Sequence, residues 1–194
     1  MKNLVVFDVD GVLADFEGQL VKVLVSEFGE VARQKRNCFR LEDRFAERPD
    51  ILRRAKELVS DPNFYYGLRE IDGAFGFVDM VMDEGKGVVF VSSRPDSAQN
   101  FTARWLLKRM YKGEPVVFCG VEDKVGFLKP TLESVDFVVE DNPQLKSAGI
   151  DVICFDQPWN QGIFPRLYIR SDREPMLWKQ EDLEAEPFFA VEME

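Results

Sequence analysis

The chain has 194 residues, 45% of them hydrophobic with 17 Phe, a formal net charge of -10 and no histidine. The missing imidazole excludes Ser-His-Asp and Cys-His relays, His-ligated zinc and any unperturbed group titrating near neutrality, so catalysis must run on carboxylates, Lys, hydroxyls, Cys or a hard metal ion. Length and apolar content suit one domain with room for an insertion, and the acidic balance opposes binding to polymeric nucleic acid or an anionic membrane surface.

Leu4-Val5-Val6-Phe7 is a short continuous apolar run, as expected of a strand buried on both faces, and it delivers Asp8-Val9-Asp10-Gly11 at its carboxyl end. From Asp15 to about Gly85 no buried strand is evident. Phe16, Leu20, Val23, Leu24 and Phe28 mark one amphipathic helix ending at Gly29; Pro49 opens another with Leu52, Ala55, Leu58 and Val59 on one face; Gly73 to Met82 gives a third. Residues 15–85 are therefore expected to form a small helical cap inserted after the first strand. Arg33-Gln34-Lys35-Arg36 and Arg53-Arg54 tint it basic, as a solvated face or as a patch that draws in an anionic substrate.

The apolar run then recurs. Gly87 to Val91 ends in Ser92-Ser93-Arg94-Pro95, Val116 to Phe118 ends near Cys119-Gly120, Asp136 to Val139 ends in Glu140-Asp141-Asn142-Pro143, and Val152 to Phe155 ends at Asp156-Gln157-Pro158. Asp96 is expected to cap a helix carrying Ala98, Phe101, Trp105 and Leu106 and closed by Lys112-Gly113; Asp123 to Lys129 and Pro143 to Ala148 are shorter helices. Such alternation predicts a doubly wound, Rossmann-like parallel α/β sheet built from residues 1–14 and 86–194. From Ser171 onward the chain carries eight acids and two bases and is expected to be an acidic tail, as a terminal helix or a partly mobile arm.

Cys38, Cys119 and Cys154 are odd in number, widely spaced and set among apolar residues, which reads as buried free thiols rather than a disulfide frame or a metal knuckle. No apolar run approaches the roughly 20 residues of a membrane helix, and Met1 leads straight into a strand pattern, so a cytoplasmic protein with no membrane partner is expected.

Singly, Asp8, Asp10, Ser92, Lys124 or Glu140-Asp141 could each be a turn former or a surface residue. Together they fall at or just beyond the carboxyl ends of parallel strands and can converge on one crevice. Carboxylates packed there without His or Arg repel one another unless a cation is present, and an all-oxygen set calls for a hard ion, Mg²⁺ first. A lysine and a hydroxyl facing that ion suit the remaining phosphoryl oxygens, so the pattern reads as phosphoryl transfer. Of Asp8 and Asp10, one carboxylate can attack phosphorus while the other hands a proton to the leaving alkoxide.

DVDGVLADF (Asp8 to Phe16), VSSRP (Val91 to Pro95), Lys124 before a helix and VVEDNP (Val138 to Pro143) resemble the four motifs of the haloacid dehalogenase superfamily of phosphohydrolases. DGVLADFE, the helical insert, DPNFYYGLREIDGAFGFV (Asp61 to Val78) and the late Gln157-Pro158-Trp159-Asn160 are similar to the 5'(3')-deoxyribonucleotidase family, in its bacterial or phage-type members. The resemblance implies Asp8 as nucleophile and Asp10 as general acid/base with its carbonyl facing the metal. It implies Ser92, with Ser93 as a second contact, and Lys124 on the phosphate, and Asp8, Asp10, Glu140 and Asp141 around Mg²⁺. Phe16, Phe64 and Tyr65 become candidate surfaces for a base. Lys129 rivals Lys124, and Glu-Asp stands where the nucleotidases usually carry Asp-Asp, leaving open which of Glu140 and Asp141 touches the metal.

The expected activity is Mg²⁺-dependent hydrolysis of a small phosphorylated substrate, a nucleoside monophosphate, through an aspartyl-phosphate. Base preference, sugar, phosphate position and assembly, a homodimer included, stay open. A haloacid dehalogenase has no alkoxide to protonate, and a receiver domain places its phosphorylated Asp after a middle strand. A sugar phosphatase, or a silent phosphate-binding module on the same fold, shares every motif.

Overall fold

The computed structural model describes residues 3–33, 36–109, 113–120, 123–131, 133–147, 151–161, 166–169 and 175–178. The five expected strands form as β1 (Leu4–Asp8), β2 (Gly87–Ser92), β3 (Val116–Phe118), β4 (Val135–Glu140) and β5 (Val152–Phe155), joined by β6 (Arg166–Ile169) and β7 (Pro175–Trp178). They make one sheet in the order β3-β2-β1-β4-β5-β6-β7, with only β7 antiparallel to its neighbour. β1 is central because both of its faces are apolar: Val5 and Phe7 join one buried cluster and Val6 joins the other.

The tail differs from expectation. Residues 175–178 form an edge strand rather than a helix or a loose arm, with Pro175 as its first residue, where a missing N–H costs least. Neither β6 (RLYI) nor β7 (PMLW) is the long apolar run that marks β1, β2 and β4; tertiary pairing at the sheet edge makes them strands. The tail from residue 179 lies outside the described residues.

Between β1 and β2 run α1 (Phe16–Phe28), α2 (Leu41–Arg44), α3 (Pro49–Ser60), α4 (Pro62–Tyr66) and α5 (Ala74–Asp83). Asp15 caps α1 by accepting from the Gly18 N–H at 2.9 Å, and Gly29, at φ 74°, closes it. The last of these helices lies on the sheet rather than over its end: Phe77 of α5 meets the Phe7 ring edge-on at 5.8 Å. Asp96 does not cap the next helix. It opens a 3-10 turn, its carboxylate accepts from Gln99 Nε2 at 2.8 Å, and α6 (Gln99–Leu107) starts after it and ends at Leu107, short of the expected closure at Lys112-Gly113. α6 is tied to the insertion by Trp105, whose buried indole donates to the Leu68 carbonyl at 2.7 Å. α7 (Lys124–Thr131) and α8 (Gln144–Ser147) complete the fold. No described helix is long and apolar enough to cross a membrane.

Candidate active site

The chain leaves β1 for β2 and β3 on one side and returns to β4 on the other, so the sheet order reverses at β1 and a crevice opens beyond its carboxyl end. Asp8 closes β1 there. The turn that follows is fixed by the Ala14 and Leu13 N–H groups, which donate to the Val9 carbonyl at 2.8 and 3.0 Å, and by Gly11 at φ 78°. A Cβ on Gly11 would stand 2.2 Å from Asp141 Oδ2, so only glycine lets the β1 turn and the β4 turn approach this closely.

Lys124, first residue of α7, bridges Asp8 at the end of β1 and Glu140 at the end of β4. Lys124 Nζ lies 2.8 Å from Asp8 Oδ1 and 2.7 Å from Glu140 Oε2, and all three side chains are buried. The Asn142 N–H donates to Glu140 Oε1 at 3.1 Å. Lys129, the rival lysine, sits exposed within α7. Burial pushes the Asp8 carboxyl up to about 8, helped by the Glu140 charge and opposed by Lys124. Asp141 is driven well above the carboxylate range by burial, then by Glu140 and Asp8. Burial alone would lower the Lys124 ammonium, but the charges of Asp8 and Glu140 outweigh it and hold the ammonium protonated.

Asp8, Glu140 and Asp141 each offer an oxygen within 4.8 Å of the others. Three buried carboxylates against one lysine leave a deficit of positive charge, and an all-oxygen donor set of this kind fits a hard divalent cation. Asp10 is not among them. Its carboxylate is taken by Arg94, Nε to Oδ2 at 2.8 Å and Nη2 to Oδ1 at 2.7 Å, while Nη1 donates to Thr102 Oγ1 at 3.0 Å. The expectation of an acid set without arginine is therefore corrected: Asp10 pairs with a buried guanidinium that the loop after β2 brings to it. Arg94 stood in the VSSRP run beside the residues chosen, and it is the fork that a bidentate grip on a carboxylate requires.

Ser92 and Ser93 separate. Ser92 is wholly buried and its hydroxyl accepts from the Arg94 N–H at 3.3 Å, whereas Ser93 lines the cavity and its buried Oγ has no hydrogen-bond partner among the described residues. Alternation along an extended chain sends neighbours to opposite sides, so only one of the two can face the crevice.

The acids open on a cavity of about 300 Å³ whose far wall comes from the insertion: Phe16, Glu17, Phe39, Leu41, Arg44 and Tyr65. Phe16 and Tyr65 stack at 6.3 Å and 26°. Phe64 does not line it; it is 8% exposed and packs edge-on against Phe16 at 5.6 Å, a core role. Phe39 and Trp159, which meet at 6.1 Å, also lie on the wall; no motif marks Phe39 in the sequence, and Trp159 stands in the late Gln157-Pro158-Trp159-Asn160 run. A wider open groove of about 940 Å³ beside Arg69, Lys108 and Arg109 contains none of these acids, and Arg109 there is paired with Glu70 at 3.1 Å.

The loop after β5 holds the site from behind. Gln157 Nε2 donates to the Gly11 carbonyl at 2.7 Å, and Trp159 Nε1 and Asn160 Nδ2 each donate to the Asp141 carbonyl at 3.1 Å. These contacts fix both turns whose close approach depends on Gly11.

Solved structures of similar fold include a Clostridium difficile protein assigned as a phosphatase, 18% identical, covering 94% of this chain and 97% of that one with a TM-score of 0.57. A hydrolase from Streptococcus pneumoniae TIGR4 is 16% identical over 81% of this chain and 95% of its own, with a TM-score of 0.54. A HAD family hydrolase from Deinococcus radiodurans R1, solved with bound phosphate and sodium, is 18% identical over 80% and 83% with a TM-score of 0.51. These likenesses show the α/β fold of the haloacid dehalogenase type. The human cytosolic-type 5'(3')-deoxyribonucleotidase is 33% identical over 95 residues, a stretch that spans 47% of this chain and 47% of the human protein. Residues 2–177 match the family described as 5' nucleotidase, deoxy (pyrimidine), cytosolic type C, and the chain belongs to that family.

Proposed function

We propose that the protein is a Mg²⁺-dependent phosphomonoesterase that releases phosphate from nucleoside monophosphates through an aspartyl-phosphate on Asp8. The observation that carries this reading is the juxtaposition of a buried Asp8-Lys124-Glu140 ion network with a cavity walled by stacked aromatic rings. A dianionic phosphoryl group belongs at the charged end and a flat apolar moiety at the other. The part of the insertion from Phe16 to Tyr65 serves as the cap that shapes the second end, while α5 packs on the sheet.

Asp8 Oδ attacks phosphorus; the P–O bond to the leaving group breaks, and Asp10, entering the step in its acid form, gives its proton to the departing alkoxide. A water then attacks the aspartyl-phosphate with Asp10 accepting its proton, which frees inorganic phosphate and restores Asp8. Lys124 keeps Asp8 oriented and neutralises charge on the phosphoryl oxygens, and the Ser93 hydroxyl, without a hydrogen-bond partner among the described residues, supplies them a donor. Asp8, Glu140 and Asp141 would hold Mg²⁺, which when bound supplies further neutralising charge at those oxygens. Arg94 fixes the Asp10 carboxylate through both oxygens and is itself held between the rings of Tyr65, 4.8 Å away, and Trp105, 5.9 Å away.

A phosphate-release screen over nucleoside monophosphates and sugar phosphates with Mg²⁺ tests the reading. Preference for nucleotides is expected; turnover confined to sugar phosphates would replace the substrate class, and no release from any of them would leave a binding module.

A further inference from the structure

Asp10 and its partner Arg94 are unequally buried. The Arg94 side chain is 0% exposed, whereas the Asp10 side chain keeps 25% of its surface open and lines the cavity. Nε and Nη2 grip the two Asp10 oxygens, and the remaining branch is tied down as well: Nη1 donates to Thr102 Oγ1, which donates in turn to the Ala98 carbonyl at 2.9 Å. A guanidinium anchored on every branch fixes the plane of the carboxylate it holds.

The rings beside Arg94 come from two different parts of the chain. Tyr65 belongs to α4 of the insertion and Trp105 to α6. Each ring is pinned at its polar end: Tyr65 Oη donates to the Val59 carbonyl at 2.7 Å, and the Trp105 indole reaches Leu68. Next to them Tyr66 of α4 meets Phe101 of α6 edge-on at 5.9 Å, so the two helices are locked together around Arg94. Tyr65 also stacks on Phe16 at the cavity wall. One face of the cap is thereby joined, through a single buried guanidinium, to the carboxylate that faces the substrate. Stability alone does not explain the arrangement, because desolvation offsets most of the attraction in a buried ion pair. Proton transfer does have a use for it, since a misplacement of about 1 Å can cost a reacting group about a hundredfold in rate.

We propose that Arg94 is a positioning residue for the general acid and that the cap ring Tyr65 sets its place, so the wall that receives the leaving group also aims the carboxyl that protonates it. As the P–O bond breaks, the proton passes from Asp10 to the departing oxygen while every N–H bond of Arg94 stays intact. Arg94 therefore acts only through Asp10. The inference rests on the phosphomonoesterase reading above, in which Asp10 is the acid.

The test measures kcat/KM with Mg²⁺ for phenyl, 4-nitrophenyl and 2,4-dinitrophenyl phosphate, whose leaving groups fall in basicity in that order. Phenoxide needs a proton as it leaves and dinitrophenoxide does not, so the phenyl-to-dinitrophenyl ratio reads the acid. A well-placed acid contributes about 10²–10⁴-fold, and the ratio is expected to fall about tenfold or more in Arg94→Met and Arg94→Lys. In Tyr65→Leu it should fall about threefold, as loss of one cation-ring contact implies, whereas Tyr65→Phe keeps the ring and should keep the wild-type ratio. In an Asp10→Asn background, adding Arg94→Met should leave the ratio where Asp10→Asn put it. Equal losses on all three esters in the Arg94 variants, or a further fall in the double variant, would overturn the positioning role. A Tyr65→Leu ratio equal to that of the wild type would overturn the part assigned to the cap. Arg94→Lys and the two Tyr65 variants read the ratio even where Arg94→Met fails to fold. A wild type that releases phosphate from no aryl ester and no nucleoside monophosphate would instead remove the phosphomonoesterase reading, and this inference with it.

Discussion

Replacing Lys124 by Met removes the one cation in direct contact with Asp8 and Glu140 among the described residues while filling similar volume. Nζ lies 2.8 and 2.7 Å from the two carboxylates, and the residue is 4% exposed, so solvent cannot take over its charge. Removing one partner of a buried ion pair costs about 3–5 kcal/mol. At about 2–4 °C per kcal/mol for a chain of this size, the chelated variant should melt about 6–20 °C below the wild type. The loss should depend on pH. Burial raises the Asp8 carboxyl to about 8, so between its unfolded value and that pH the folded protein binds more protons than the unfolded chain, and stability falls as pH rises. Without Lys124 the folded carboxyls rise further and the fall extends to higher pH. Thermal melts in chelator at pH 6 and pH 9 should therefore show the larger gap at pH 9. Lys129→Met, at an exposed position, should stay within about 0.5 kcal/mol of wild type. A Lys124→Met protein melting with the wild type at pH 9 in chelator would refute the ion network as the holder of this site.

Asp8→Asn should abolish phosphate release while the metal-free protein melts at or above the wild-type temperature, since one of three mutually repelling carboxylates becomes neutral and Lys124 keeps an acceptor; residual turnover would remove Asp8 as nucleophile. Gly11→Ala should cost about 1–2 kcal/mol for a left-handed backbone and lose activity beyond that, because the new methyl displaces the Asp141 carboxylate; a fully active variant would show that the β1 and β4 turns need not approach. Wild-type protein in chelator should lose melting temperature as pH rises from about 4, the unfolded carboxylate value, to about 8, where Asp8 ionises, and millimolar Mg²⁺ should restore it most at pH 8; a Mg²⁺ effect independent of pH would speak against these acids as its ligands.

The continuous apolar runs of β1, β2, β4 and β5 and their polar ends were legible in the sequence, because the middle of a strand buried on both faces is apolar and polar residues gather at its ends. With them came Asp8, Lys124, Glu140 and Asp141 as one cluster, since parallel strands deliver their carboxyl ends to one side. β6 and β7 were not legible, for an edge strand of four residues takes its conformation from its neighbour. Nor was the partner of Asp10: Arg94 lies 84 positions away, and only the sheet register brings it there. The choice of Ser93 over Ser92 at the cavity, the removal of Phe64 into the core and the Glu17-Arg44 ion pair in the cap wall are likewise tertiary. Local pattern decides which residues reach the end of a strand; which way each side chain then turns, and what it meets from the rest of the chain, is settled by packing across the sheet and the insertion above it.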